Sequence, residues 1–205
     1  AERYNLITGV DRWVITHSFE WYAQHCQRSP EQCADVMSIN LSGMSICDPA
    51  IQRHIMIAMR KYGIPPDSVC FEITETAAIS NLSAAADFIH ELRKLGCRFA
   101  LDDFGSGLSS FGYLKNLPVD YLKIDGSFVR DMDTDDVNHA MVSAIQQLGS
   151  VIGIKTIAEF VENDIIIDML SELGVDYAQG YALSMPQPLD DFDFGARRAA
   201  LNSSR

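Results

Sequence analysis

Strand-length apolar runs and helix-length amphipathic segments trade places along almost the whole chain, and no other feature of the sequence constrains the fold so strongly. After an opening helix over 11–26 with Asp11 at its N-cap, strands are expected at 36–41, 69–74, 98–101, 121–124, 154–158 and 176–179. Helices are expected between them at 49–62, 82–95, 110–117, 137–152 and 165–173, and Gly63, Gly96 and Gly174 stand where three of these stop. Such alternation calls for a parallel sheet, because each crossover helix returns the chain to the same end of the sheet.

A parallel sheet built this way closes into a (β/α) barrel or stays open and doubly wound. A closed barrel needs eight strands, whereas six are read here and the first element is a helix. The expected fold class is α/β, a TIM-like (β/α)8 barrel truncated at its N-terminal end, its first strand upstream of Ala1. An open six-stranded doubly wound sheet is the alternative. Residues 1–205 are expected to form a single domain, since no repeat or low-complexity linker divides them.

With 47% hydrophobic and 21% charged residues, the 205-residue chain can bury one sizeable core and is not a disordered segment. Its net charge of -12 argues against a groove for polymeric nucleic acid, which would gather Lys and Arg against phosphates. An anionic ligand would have to be held by something other than bulk charge, and bound cations are the obvious means. Cys26, Cys33, Cys47, Cys70 and Cys97 are odd in number and lack CxxC spacing, so reduced, mostly buried thiols are expected. The five histidines form no HxxxH or HExxH pattern, which leaves zinc little support. No apolar run approaches the length of a membrane span and no signal peptide is visible. A cytoplasmic domain is expected, with membrane anchoring of a longer parent left open.

In parallel α/β folds the chemistry gathers at the C-terminal ends of the strands. Here those ends carry Asn40, Glu72, Asp102 with Asp103, Lys123 with Asp125, Glu159 and Gln179. Any one of them is ordinarily a solvated or capping residue, but adjacent strands bring all of them to one face. Clustered carboxylates repel one another and raise each other's pKa unless a cation intervenes. With oxygen donors only, that cation is expected to be Mg2+ or Mn2+, and the Asp102-Asp103 pair could bridge two ions about 3.5–4 Å apart. Lys123 and Asp125, two apart in a strand, should point the same way, the lysine orienting water or neutralising its neighbours. The run 102–110, with Gly105 and Gly107, reads as a flexible loop over the site, not as a dinucleotide or NTPase phosphate loop.

Taken together, Ser38-Ile39-Asn40-Leu41-Ser42, Glu72-Ile73-Thr74-Glu75, Asp102-Asp103-Phe104-Gly105-Ser106-Gly107, Asp120-Tyr121-Leu122-Lys123-Ile124-Asp125, Ala158-Glu159-Phe160-Val161-Glu162 and Gln179-Gly180-Tyr181 closely resemble the EAL-domain family of cyclic-di-GMP phosphodiesterases, from Glu2 to about Leu189. The resemblance implies metal-dependent opening of cyclic di-GMP to linear pGpG. It implies two Mg2+ or Mn2+ ions, one on Asn40, Glu72 and Asp102, the other on or facing Asp102, Asp103 and Glu159. By the same resemblance Lys123 positions the attacking water, Glu159 is a metal ligand or general base, Glu75 anchors the glycine-containing loop, and Gln179 and Asp125 line the substrate site. It also implies a homodimer formed through helix 137–152 and the 102–110 loop, and linkage in a parent to sensory or GGDEF-type domains.

Two departures stand out. The name-giving Glu-Ala-Leu strand, with a metal-binding Glu and a phosphate-binding Arg, should precede Ala1. Phe160 stands where relatives often have Gly and is expected merely to pack against the barrel. Two rivals to the enzyme remain: a catalytically inactive receptor for the dinucleotide, and a Mg2+-dependent enolising barrel with Lys123 as base.

Overall fold

The structure is a computed structural model and describes residues 6–107 and 111–192. Helices α1 (Ile7–Arg28), α2 (Gly43–Ile46), α3 (Pro49–Tyr62), α4 (Glu75–Ser80), α5 (Leu82–Arg93), α6 (Gly126–Val129), α7 (Asp136–Ile152) and α8 (Asp164–Leu173) alternate with six strands. These are β1 (Met37–Asn40), β2 (Val69–Thr74), β3 (Arg98–Phe104), β4 (Tyr121–Ile124), β5 (Lys155–Ala158) and β6 (Tyr177–Ala178).

All neighbouring strands are parallel and follow one another in chain order from β1 to β6. A doubly wound sheet reverses its strand order at a switch point, so the open doubly wound alternative is overturned. The observed α/β architecture is an open half-barrel, with every crossover running in the same sense along the wall.

Alternation along the strands separates two faces. Phe71, Ile73, Phe99, Leu101, Leu122 and Ile124 are buried in the hydrophobic core with the helices, where Phe99 meets Phe71 and, edge-on, Phe88 of α5. Fully burying each such side chain contributes about 1.5–3 kcal/mol. The alternate positions, Glu72, Asp102 and Lys123, face the other way. That face carries the site.

Local chemistry sets the helix limits. Asp48 Oδ1 accepts from the Ala50 N–H at the start of α3, and Gly63, at φ 65°, closes it in the left-handed conformation that side chains disfavour. Expected bounds for α3, β2 and β4 coincide with the observed ones.

Other expectations are corrected. Asp11 is not an N-cap: α1 begins at Ile7, and Asp11 is buried within it. The expected helix at 110–117 is a 3-10 turn over Phe111–Asn116, and Leu108, Ser109 and Ser110 of the glycine-containing run lie outside the described residues. Cys26 and Cys33 form a disulfide tying the end of α1 to the segment before β1, instead of two reduced thiols. The buried thiols of Cys70 and Cys97 are each pushed up to about 12, chiefly by burial, and Cys47 is exposed. Among the described residues no helix is long and apolar enough to cross a membrane.

Candidate active site

Strand β3 does more than end at the site. It runs through Asp102 and Asp103 to Phe104, and its register with β4 slips between Leu101 and Phe104. A regular strand would send adjacent side chains to opposite faces. The slip, with Asp103 at φ 54°, re-aims the second carboxylate, so both acids serve one cluster. Asp102, Asp103 and Glu159 each bring one oxygen within 4.8 Å of the others.

Lys123, on β4, lies at the centre of the neighbouring charges. Its buried Nζ donates to Glu72 Oε2 at 2.7 Å, Asp102 Oδ1 at 2.8 Å and Glu159 Oε1 at 2.8 Å. Burial alone would lower its pKa, but the charge of Glu72 and the bonds to all three acids prevail and hold it above the ordinary lysine value. An ammonium so held is a fixed positive charge.

Two of the carboxylates are raised as well, which for an acid disfavours the charged form. Burial raises Glu159, Lys123 opposes this, and the charges of Asp102 and Glu72 add to the rise. Asp103, although exposed at the rim, is raised too, by partial desolvation reinforced by Asp102 and Asp125 and opposed by Lys123. One lysine does not neutralise four acids, and the residual repulsion is the condition a divalent cation relieves. The donors are all oxygen, which fits Mg2+ or Mn2+.

The remaining expected residues divide between this centre and its surroundings. Asn40 ends β1 in register with Glu72 and is exposed at the rim. Gln179 Nε2 donates to Glu159 Oε1 at 2.8 Å. Asp125 corrects the two-residue argument: β4 stops at Ile124, and Asp125 instead caps α6 by accepting from the Ser127 N–H at 2.7 Å. Glu75 is buried below the turn after β3, accepting from the Gly105 N–H at 3.0 Å and the Tyr113 hydroxyl at 2.6 Å. Tyr113 carried no signal in the sequence.

Phe160 packs against the barrel at one edge, its ring lying over Gly126 at the start of α6. It takes φ 54° and is 51% exposed, with the Arg130 guanidinium 5.2 Å from its ring centre. With Gln179, Tyr181 and Met185 it lines a cavity of about 550 Å³ beside the carboxylates. A larger cavity, about 850 Å³ and lined by Arg93, Arg98, Lys115 and Lys155, lies at the opposite ends of the strands.

A half-barrel wall with carboxylates and one lysine at its C-terminal rim places a candidate metal centre where barrels of this class carry their chemistry. The EAL domain family model matches residues 1–186, and the chain belongs to that family. It is 47% identical over 192 residues to the cyclic di-GMP phosphodiesterase PdeB of Shewanella oneidensis, covering 94% of this chain and 22% of that protein. To the cyclic di-GMP phosphodiesterase PdeF of Escherichia coli it is 37% identical, covering 93% of this chain and 25% of that one. The chain thus spans about a quarter of the length of these curated relatives. The crystal structure of the FimX EAL domain from Pseudomonas aeruginosa bound to c-di-GMP superposes with a TM-score of 0.85 at 32% identity, over 95% of this chain and 77% of that one.

Proposed function

We propose that this domain hydrolyses cyclic di-GMP to linear pGpG on Mg2+ or Mn2+ held by Asp102, Asp103 and Glu159, with Asn40 and Glu72 completing the ligand set. The observation that carries the reading is Lys123, fixed as a cation among Glu72, Asp102 and Glu159 at the rim where these strands end. Relatives named as cyclic di-GMP phosphodiesterases support the substrate. The six ordered parallel strands support a (β/α)8 barrel as the complete architecture.

When bound, the metal supplies charge stabilisation at phosphorus and lowers the pKa of a coordinated water. The chain's own groups supply the rest. All three Lys123 protons are held by Glu72, Asp102 and Glu159. A carboxylate that turned to a metal would release one of them to orient the attacking water and face the charge that develops as water adds and one P–O bond of the ring breaks. Glu159 is placed to accept the water's proton, and Gln179 fixes its carboxylate. Glu75 holds the turn after the two aspartates, and Asp125 and Gln179 border the substrate. The three carboxylates that hold the Lys123 ammonium disfavour the enolising alternative, which needs a neutral amine free to reach its substrate.

A homodimer and linkage to sensory or GGDEF-type domains belong to the same reading. The linkage is supported by MucR of Pseudomonas aeruginosa, named a bifunctional diguanylate cyclase/cyclic di-GMP phosphodiesterase, of which this chain covers 27%. The deciding experiment measures Mg2+-dependent conversion of cyclic di-GMP to pGpG, with a Ca2+ control and a binding titration. Turnover with Mg2+ is the expected result. Binding without turnover would make the domain a receptor, and neither would remove cyclic di-GMP from the account.

A further inference from the structure

Among the described residues the buried charged side chains are Asp11, Glu72, Glu75, Lys123 and Glu159. Four of them belong to the carboxylate centre or its supporting turn. Asp11 belongs to neither: it lies on α1, 31 positions from the nearest residue it bonds.

Its Oδ2 accepts from the Ser42 N–H at 3.1 Å, from Ser42 Oγ at 2.6 Å and from the buried Ser45 Oγ at 2.6 Å. Ser42 Oγ in turn accepts from the Ser45 N–H at 3.3 Å and caps α2. One carboxylate oxygen therefore gathers the whole turn that follows β1. Taking a carboxylate out of water is costly, and apolar packing would join α1 to β1 with less penalty. A directional anchor is what the charge adds.

That turn starts two residues after Asn40, the last residue of β1. Asn40 pairs with Glu72, and the Leu41 N–H continues the ladder by donating to the Glu72 carbonyl at 2.8 Å. The strand thus fixes Asn40 from its β2 side, while Asp11 fixes the chain immediately beyond it. We propose that Asp11 is a positioning residue for the divalent-cation site, acting through Asn40 by pinning the Ser42–Ser45 turn. The inference rests on the reading of Asn40 as a metal ligand.

The test is direct Mn2+ binding to the full chain, followed by electron paramagnetic resonance of free Mn2+, for wild type, Asp11→Asn, Asn40→Ala and the double variant. Groups that orient ligands from behind are worth about 10–100-fold in metal affinity. Asp11→Asn is expected to weaken Mn2+ binding about tenfold, and to add nothing once Asn40 is already Ala, since the two act through one contact. Should Asp11→Asn fail to fold by circular dichroism, Ser45→Ala removes a single donor and is expected to weaken Mn2+ binding several-fold in the same cycle.

Unchanged Mn2+ affinity in a folded Asp11→Asn or Ser45→Ala overturns the inference and leaves the metal reading standing. So does a loss that persists undiminished in the Asn40→Ala background. If wild type binds no Mn2+, or Asn40→Ala binds it as wild type does, the ligand role of Asn40 falls, and the inference falls with it.

Discussion

Lys123 Nζ and Glu159 Oε1 stand 2.8 Å apart, and the same oxygen accepts from Gln179. The lysine is thus both a catalytic candidate and the counter-ion that makes this acidic rim tolerable without metal. Lys123→Ala leaves Glu72, Asp102 and Glu159 without it, and removing one partner of a buried pair costs about 3–5 kcal/mol. The expected outcome is loss of turnover with retained dinucleotide binding, a lower unfolding temperature in EDTA, and recovery of much of that loss with excess Mg2+. Thermal unfolding with and without Mg2+ checks this, and equal melting of both proteins in EDTA would remove the counter-ion role.

Asp103 is one of two raised acids that carry the pH dependence, the other being Glu159. Although exposed at the rim, it is raised by partial desolvation and by Asp102 and Asp125, and Lys123 only partly offsets this. An acid whose folded pKa exceeds its unfolded value, about 4, adds stability that is present below that value and lost as pH rises through the folded pKa. In EDTA, Asp103→Asn should therefore match or exceed wild type at pH 7 and lose its advantage toward pH 4. Asn tolerates the left-handed conformation at φ 54°, so the backbone is not the variable. Mg2+ should raise the unfolding temperature of wild type more than that of the variant. Parallel pH profiles would sink the argument.

The end of β1 was legible because its apolar run gives way to Asn40, whereas Glu72 lies inside β2, which runs on to Thr74. The adjacency of Asp102 and Asp103 was legible too, but not how both could serve one site. Period-two reasoning ends β3 at Leu101, whereas the register slip and the φ of Asp103 solve the problem by a backbone irregularity that no side-chain pattern encodes. The bounds of β4 were legible, but the alternation argument was extended past its last residue, Ile124, to Asp125. Asp11 looked like a cap because it precedes an apolar stretch, and its true partners are set by tertiary packing. The Cys26–Cys33 bridge escaped because an odd cysteine count argues against a closed framework without excluding one local pair.

Glu75 and Tyr113 form a second testable unit. The Tyr113 phenol is raised by burial and further by its bond to Glu75. Glu75→Gln removes the charge, so the phenol should ionise at lower pH, read as phenolate absorbance against a Tyr113→Phe control. Loss of the charged acceptor for the Gly105 N–H costs about 1–3 kcal/mol, enough to speed exchange of that amide about tenfold or more. Unchanged exchange at Gly105 would mean that Glu75 does not hold the turn.

Gly180 fixes the far side of the site by its lack of a side chain. A Cβ there would lie 2.3 Å from both the nitrogen and the oxygen of Val161, backbone atoms that cannot rotate away. Around this contact the Val161 N–H donates to the Gln179 carbonyl at 3.1 Å, and the Ala182 N–H donates to the Val161 carbonyl at 3.0 Å. Gly180→Ala must push the end of β6 off β5, which costs about 1–3 kcal/mol by overpacking and draws Gln179 away from Glu159. Chemical denaturation should show the lost stability, and turnover should fall further than in Gly153→Ala, where a new Cβ meets nothing within 4 Å. Equal activity in the two variants would show that the Gln179 contact is dispensable for the chemistry.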